Sequence, residues 1–153
     1  MDVFSNICQL LDKQKIDYHV SVHDAVRTSA EAAAIRGVEM KTGAKAMLIR
    51  SMGKFYLFIL SASEKVDFKK VKRILGVDST SLATPEEVIA VTHCVPGCVP
   101  PFGSLFGIAS YVDKGLLEIQ ELHFSAGKLT HSIRISSHDW KTVENPIVVE
   151  FKA

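Results

Sequence analysis

Apolar residues at Val3, Phe4, Ile7, Cys8, Leu10 and Leu11 recur at helical spacing, which predicts an amphipathic helix over residues 2–15. Tyr18, Val20 and Val22 then alternate with other positions as in a short half-buried strand. Thr28 with Glu31 three residues on has the form of a capping box, and the alanine-rich run behind it predicts a helix closing near Gly37. After a polar loop over 41–44, two β-favouring runs, 46–51 and 55–61, flank Met52-Gly53-Lys54 and predict a hairpin-like pair. Asp67 caps a helix that turns Phe68, Val71, Ile74 and Leu75 inward and ends at Gly76. Thr84-Pro85-Glu86-Glu87 marks another start, with cap, first-turn proline and capping-box glutamate, for a helix running to Thr92. Residues 108–112, 118–122, 132–136 and 147–151 read as strands, with a turn at 114–117 and a helical turn at 137–140. No repeat, low-complexity segment or linker interrupts the order. The sum over 1–153 is a single α+β domain, a curved, mixed, barrel-like sheet flanked by helices on one side.

The stretch that organises the chain is His93–Gly103, His-Cys-Val-Pro-Gly-Cys-Val-Pro-Pro-Phe-Gly. Pro96, Pro100 and Pro101 fix φ and offer no N–H, while Gly97 and Gly103 adopt conformations other residues avoid. The segment suits neither a helix nor a central strand. It reads as a stiffened loop whose donors are the N–H groups of Gly97, Cys98, Val99, Phe102 and Gly103. Such a backbone is suited to meet a developing oxyanion; the plainer reading is a proline- and glycine-rich connection.

Composition narrows the classes. With 47% hydrophobic and 23% charged residues, a chain of 153 residues buries a real core and is not disordered. A net charge of +1 excludes a bulk polyanion binder, so any nucleic-acid contact comes from a local patch. Three cysteines, Cys8, Cys94 and Cys98, do not make a disulfide framework, and no apolar run approaches the ~18 residues that cross a bilayer. The start lacks the basic and apolar regions of a secretory leader, and the expectation is a soluble, reduced, cytoplasmic protein without a membrane partner.

His93, Cys94 and Cys98 invite a metal reading, but the C-x3-C spacing spans a proline and a glycine and has no second pair downstream, so no metal is expected. A thiol nucleophile at Cys98 would need a thiolate-stabilising neighbour such as His93; a small buried thiol is the alternative. Lys45, before Ala46, Met47, Leu48 and Ile49, either snorkels to solvent or points a compact charge into a cleft. Lys69, Lys70, Lys72 and Arg73 form the outer face of their helix, either a solvated face or a weak phosphate-contacting patch.

These motifs in this order resemble the YbaK/ProX superfamily of aminoacyl-tRNA deacylases, which includes the editing insertion of bacterial prolyl-tRNA synthetases. The family's G-x-x-x-P loop followed by Phe-Gly corresponds to Gly97–Gly103, and its strand lysine to Lys45 before Ala46-Met47-Leu48-Ile49. Its His-x-x-x-x-Thr element corresponds to His23–Thr28, and the Thr-Pro-Glu-Glu helix start, the Tyr-Val-Asp ending at Asp113 and the run 124–133 also match. The chain departs at Ala46, where alanyl-tRNA(Pro)-specific members often carry Asn, and at Cys98, commonly Gly or Ser.

The resemblance implies a hydrolase that removes an amino acid from mischarged tRNA, with alanyl- or cysteinyl-tRNA(Pro) the expected substrate and no cofactor. It implies catalytic roles for Lys45, Gly97, Cys98 and Pro101, with the loop amides at Gly97 and Cys98 receiving the oxyanion. Substrate contacts are implied for Val99, Phe102, Gly103, His23, Thr28, Asp113, His123 and His131. The ribose 2′-hydroxyl, or a water held by it, takes the part of the base. The implied partners are the aminoacyl-tRNA acceptor end and an aminoacyl-tRNA synthetase. Editing has a physical root, since a synthetase pocket gains only about 1–3 kcal/mol per methylene against a smaller residue. The competing reading is a non-catalytic tRNA- or synthetase-binding module of the same fold.

Overall fold

The computed structural model describes residues 2–153. Helix α1 (Val3–Lys13) is capped by the Asp2 carboxylate, which accepts from Ser5 N–H, and it buries Val3, Ile7 and Leu11. Strand β1 (Tyr18–Val22) leads to α2 (Ser29–Arg36), capped by Thr28 and closed by Gly37 in the left-handed region (φ 69°). Strands β2 (Ala44–Ser51) and β3 (Lys54–Ser61) form the expected hairpin, and α3 (Phe68–Leu75) follows on its Asp67 cap. A two-residue strand, β4 (Ser81–Leu82), precedes α4 (Pro85–Thr92), whose Thr84/Glu87 capping box is complete. Then come β5 (Ser110–Asp113), β6 (Glu121–Ser125), β7 (His131–Ser136), α5 (Ser137–Glu144) and β8 (Ile147–Val149).

The α+β class holds, but the sheet is not a barrel. The strands form two open sheets, β1-β7-β6 and β4-β2-β3-β5-β8. They touch at a single parallel bridge, Gly43 to His123. Beyond it the start of β2 and the end of β6 part around a cavity, and further along the edge of β2 is taken by β4, through Ile49 opposite Leu82 and Arg50 opposite Ser81. Nor do the helices lie on one side. Leu57, Phe58, Ile59 and Leu60 are all fully buried, the unbroken apolar run of a strand covered on both faces. Leu57 and Ile59 face the main core with α1, Phe102 and Trp140, whereas Phe58 and Leu60 face Val71 of α3 and Phe151.

Three boundaries differ for local reasons. Asp113 accepts from Gly115 N–H and starts a 3-10 turn over Lys114–Glu118, which delays the strand expected at 118–122 to β6. The helical turn at 137–140 extends to Glu144, because Trp140 and Glu144 are both buried anchors. The strand expected over 147–151 ends at Val149, since the Phe151 and Lys152 amides donate to Asp113 Oδ1 instead of to a neighbouring strand. Among the described residues no helix is long and apolar enough to cross a membrane.

Candidate active site

A cavity of about 190 Å³ opens between α2, the start of β2, the proline-rich loop and the end of β6. Its apolar wall combines small side chains, among them Ala32, Ala33, Ala44, Ala46 and Val99, with Met40, Met47 and Phe124. The alanines that make α2 a good helix also leave the space. Lys45, Arg27, Arg36, Glu39, Gly97, Thr28, Ser29 and Ser125 supply the polar part.

Lys45 extends from β2 into this space, and its Nζ donates to the Glu64 carbonyl at 2.5 Å. Burial, reinforced by the nearby Lys65 charge, holds its pKa below the ordinary lysine value, with Glu64 opposing. Of the two fates left open by the sequence, the lysine takes the cleft.

Across from it the loop reverses in a tight turn. Cys98 N–H donates to the Val95 carbonyl at 3.0 Å, with Pro96 and Gly97 at the centre and Gly97 at φ 93°, as in a type II turn. The left-handed φ is why this position is glycine. The consequence is a division of the loop's donors. The N–H groups of Cys98, Phe102 and Gly103 are bonded internally, to Val95 O, Pro100 O and Ser110 Oγ. Those of Gly97 and Val99 meet no acceptor among the described residues, and both residues line the cavity with Lys45. The unengaged pair is thus Gly97 and Val99, whereas the sequence pointed to Gly97 and Cys98.

Cys98 and Pro101 do not line the cavity. Cys98 is buried, its carbonyl accepts from Gly127 N–H at 3.0 Å, and burial raises its thiol pKa against an opposing Arg27 charge. Cys94 is pushed up to about 11, mainly by burial. Neither is an activated thiolate, and among the described residues no three His, Cys, Asp or Glu side chains cluster as for a metal. The Pro101 carbonyl accepts from Trp140 Nε1 at 2.9 Å. Phe102 is fully buried edge-to-face on Phe124, and a Cβ on Gly103 would stand 2.5 Å from Ser110 Oγ.

The other expected contacts divide similarly. Thr28 lines the cavity while capping α2 through Glu31 N–H. His23 lies behind the wall, bonded to the Asp24 carbonyl and to Ser132 Oγ. His123 bonds Thr42 Oγ1, and burial, with Arg36 and Arg134, lowers its pKa. His131 bonds Thr130 Oγ1 and packs against the Phe4 ring. Asp113 is almost fully buried as the clamp of the C-terminal segment. Lys69, Lys72 and Arg73 border a separate shallow groove on α3, and Lys70 Nζ donates to the Lys152 carbonyl.

The sequence missed the brace. Glu144 of α5 accepts from Ser104 N–H and Oγ–H and from Ser110 Oγ–H, at 2.6–3.1 Å, fixing the loop's exit from behind. Burial raises its pKa despite these bonds. Arg36 was also missed, since a cation in a helix's last turn reads as a dipole partner.

The arrangement places a fixed ammonium and two free amides on one small space, a set suited to an acyl oxygen gaining charge. The chain is similar to proteins of known kind. The aminoacyl-tRNA editing domain model matches residues 23–143. The multifunctional Ser/Thr-tRNA deacylase ProXp-y of Escherichia coli K12 is 32% identical over 94% of this chain and 89% of its own. A proline–tRNA ligase of Bacillus licheniformis is 34% identical over 52% of this chain, which spans 14% of that longer protein. A crystal structure described as a candidate trans-editing enzyme for prolyl tRNA synthetase superposes with a TM-score of 0.86 at 24% identity, covering 100% and 98% of the two chains. That likeness establishes the fold. This chain belongs to the aminoacyl-tRNA editing family, and it is a hydrolase acting on aminoacyl-tRNA.

Proposed function

We propose that the protein clears mischarged tRNA by hydrolysing the aminoacyl ester in the cavity bounded by Lys45, Gly97 and Val99. The observation that carries this reading is the convergence of the Lys45 ammonium with two amides that have no other acceptor. Water attack puts negative charge on the ester oxygen; Gly97 and Val99 donate to it, and Lys45 supplies a fixed positive charge. No carboxylate or imidazole stands as an evident base among these groups, so the ribose 2′-hydroxyl, or water bound to it, takes the attacking water's proton and passes one on to the departing ribose oxygen.

The small cavity fits a short amino acid, and alanine or cysteine on tRNA(Pro) is the first substrate choice. A second choice, serine or threonine, is favoured by the name of the E. coli relative and by the hydroxyls of Thr28, Ser29 and Ser125 on the wall. The basic face of α3 steers the tRNA body, a synthetase delivers the substrate, and the protein acts in the cytoplasm. A panel of alanyl-, cysteinyl-, seryl-, threonyl- and prolyl-tRNA tests this. Release of at least one small residue well above the spontaneous rate, with prolyl-tRNA spared, is expected. Release at the spontaneous rate throughout, combined with stable tRNA binding, would favour the non-catalytic module.

A further inference from the structure

Among the arginines that line the cavity, Arg27 is exposed, whereas Arg36 is half-buried with its charge uncompensated. Its Nε donates to Ser132 Oγ at 2.9 Å, and its terminal nitrogens make no hydrogen bond among the described residues. The exposed arginines Arg50 and Arg134 reach Glu87 and Glu121 at 3.4 and 3.3 Å, but Arg36, further from water, has no carboxylate within ion-pair distance. Glu39, on the same wall, turns to Lys41 at 3.5 Å and is mostly exposed. Burial lowers the Arg36 pKa to about 10. Withdrawing a cation from water without an anion is costly, and a cation needed only for a helix terminus would stay in solvent.

The guanidinium is also held in place. The Asp24 carbonyl can only accept, so His23 Nδ1 carries the proton in the 2.8 Å bond between them. In neutral His23, Nε2 then accepts from the Ser132 hydroxyl at 2.7 Å, and Ser132 Oγ keeps a lone pair for Arg36 Nε–H. The backbone of Gly43 passes close to the fork: a Cβ there would sit in ordinary contact with Arg36 Nη1, at 3.9 Å, its tight contact being Ala62 Cβ at 3.0 Å. Thr80 Oγ1 is the one sealed side-chain polar atom without a partner among the described residues, so the free Arg36 nitrogens are not sealed off, and Arg36 lines the cavity.

We propose that Arg36 binds the phosphodiester preceding the aminoacylated nucleotide, with Ser132 and His23 as the residues that position it. The assignment rests on the editing reading above. An aminoacyl-tRNA end brings two negative centres to the transition state, the phosphodiester and the ester oxyanion, and the cavity wall holds two half-buried cations without an ion-pair partner among the described residues, Lys45 and Arg36, with the unpaired Arg27 exposed at its rim. A planar fork with both terminal nitrogens free matches two phosphate oxygens, whereas the compact Lys45 ammonium suits one acyl oxygen. His23 therefore serves binding from behind the wall.

The test compares two minimal substrates, an aminoacyl-adenosine without phosphate and an aminoacyl-cytidylyl-adenosine with one phosphodiester, both carrying the residue cleaved best from tRNA. The native protein should prefer the dinucleotide, and Arg36→Gln should lower kcat/KM on it by about 10–100-fold, as for a lost charged hydrogen-bond pair, against no more than about threefold on aminoacyl-adenosine. Ser132→Ala should give a smaller loss with the same selectivity. A neutral methylphosphonate in the dinucleotide should reproduce the loss in the native protein and add nothing in Arg36→Gln, which keeps the test valid if that variant folds poorly. Equal losses on both substrates, or a methylphosphonate cleaved as well as the phosphodiester, would overturn the Arg36 assignment. No cleavage of either substrate or of aminoacyl-tRNA by the native protein would overturn the editing reading itself.

Discussion

The two halves of the proline-rich loop are built oppositely. From Pro100 to Ser104 every N–H has an acceptor within the protein: Phe102 on Pro100, Gly103 on Ser110 and Ser104 on Glu144, while Trp140 holds the Pro101 carbonyl. From Pro96 to Val99 only Cys98 is so engaged, and Gly97 and Val99 keep their donors for the cavity. The contrast teaches how a loop holds unsatisfied amides without collapsing on itself. The anchored half, with the Gly127-to-Cys98 bond, removes the freedom the other half would need to find internal acceptors.

The largest predicted effect falls on the free half. Lys45→Ala should lower single-turnover deacylation about 10²–10³-fold with the melting temperature nearly unchanged, as for loss of a preorganised electrostatic contact. Gly97→Ala, at φ 93°, should strain the turn by about 1–2 kcal/mol and reorient the amide, lowering turnover about tenfold. An alanine variant with full activity would show that this conformation is not required.

The anchored half should respond in stability first. Glu144→Ala leaves the Ser104 and Ser110 donors without their acceptor and should cost about 2–3 kcal/mol by denaturant unfolding. The pH dependence follows from the raised pKa of Glu144. Between the unfolded and folded pKa values the native state binds the extra proton, so stability falls as pH rises through that interval and is level above it. Subtracting the Glu144→Gln profile from the native one should isolate this slope; superimposable profiles would contradict it. The smallest effect belongs to α3, where Lys72→Gln should leave chemistry intact and reduce the salt slope of tRNA binding by about one.

Much of the fold was legible because its signals are local: the Thr84/Glu87 box, the Asp67 cap and the β2–β3 hairpin all lie where the residues indicate. The failure to close a barrel was not, because it depends on which strand edges meet in space, and the two sheets share only the Gly43–His123 bridge. At the site, Lys45 and Gly97 stand out by type and context. Which amides remain free does not, since that follows from where Val95 O and Ser110 Oγ lie in space. Arg36 and Glu144 were invisible for the same reason: their partners are 96 residues away, or 34 and 40.

The central claim is that Gly97 and Val99 donate to the acyl oxygen. Titrating the ¹⁵N-labelled protein with a non-hydrolysable amide-linked aminoacyl-adenosine tests it most directly, by amide proton chemical shift. The Gly97 and Val99 protons should move downfield together, with Cys98, bonded to Val95, nearly still. Saturable binding that leaves both unmoved while shifting Cys98 would contradict the account.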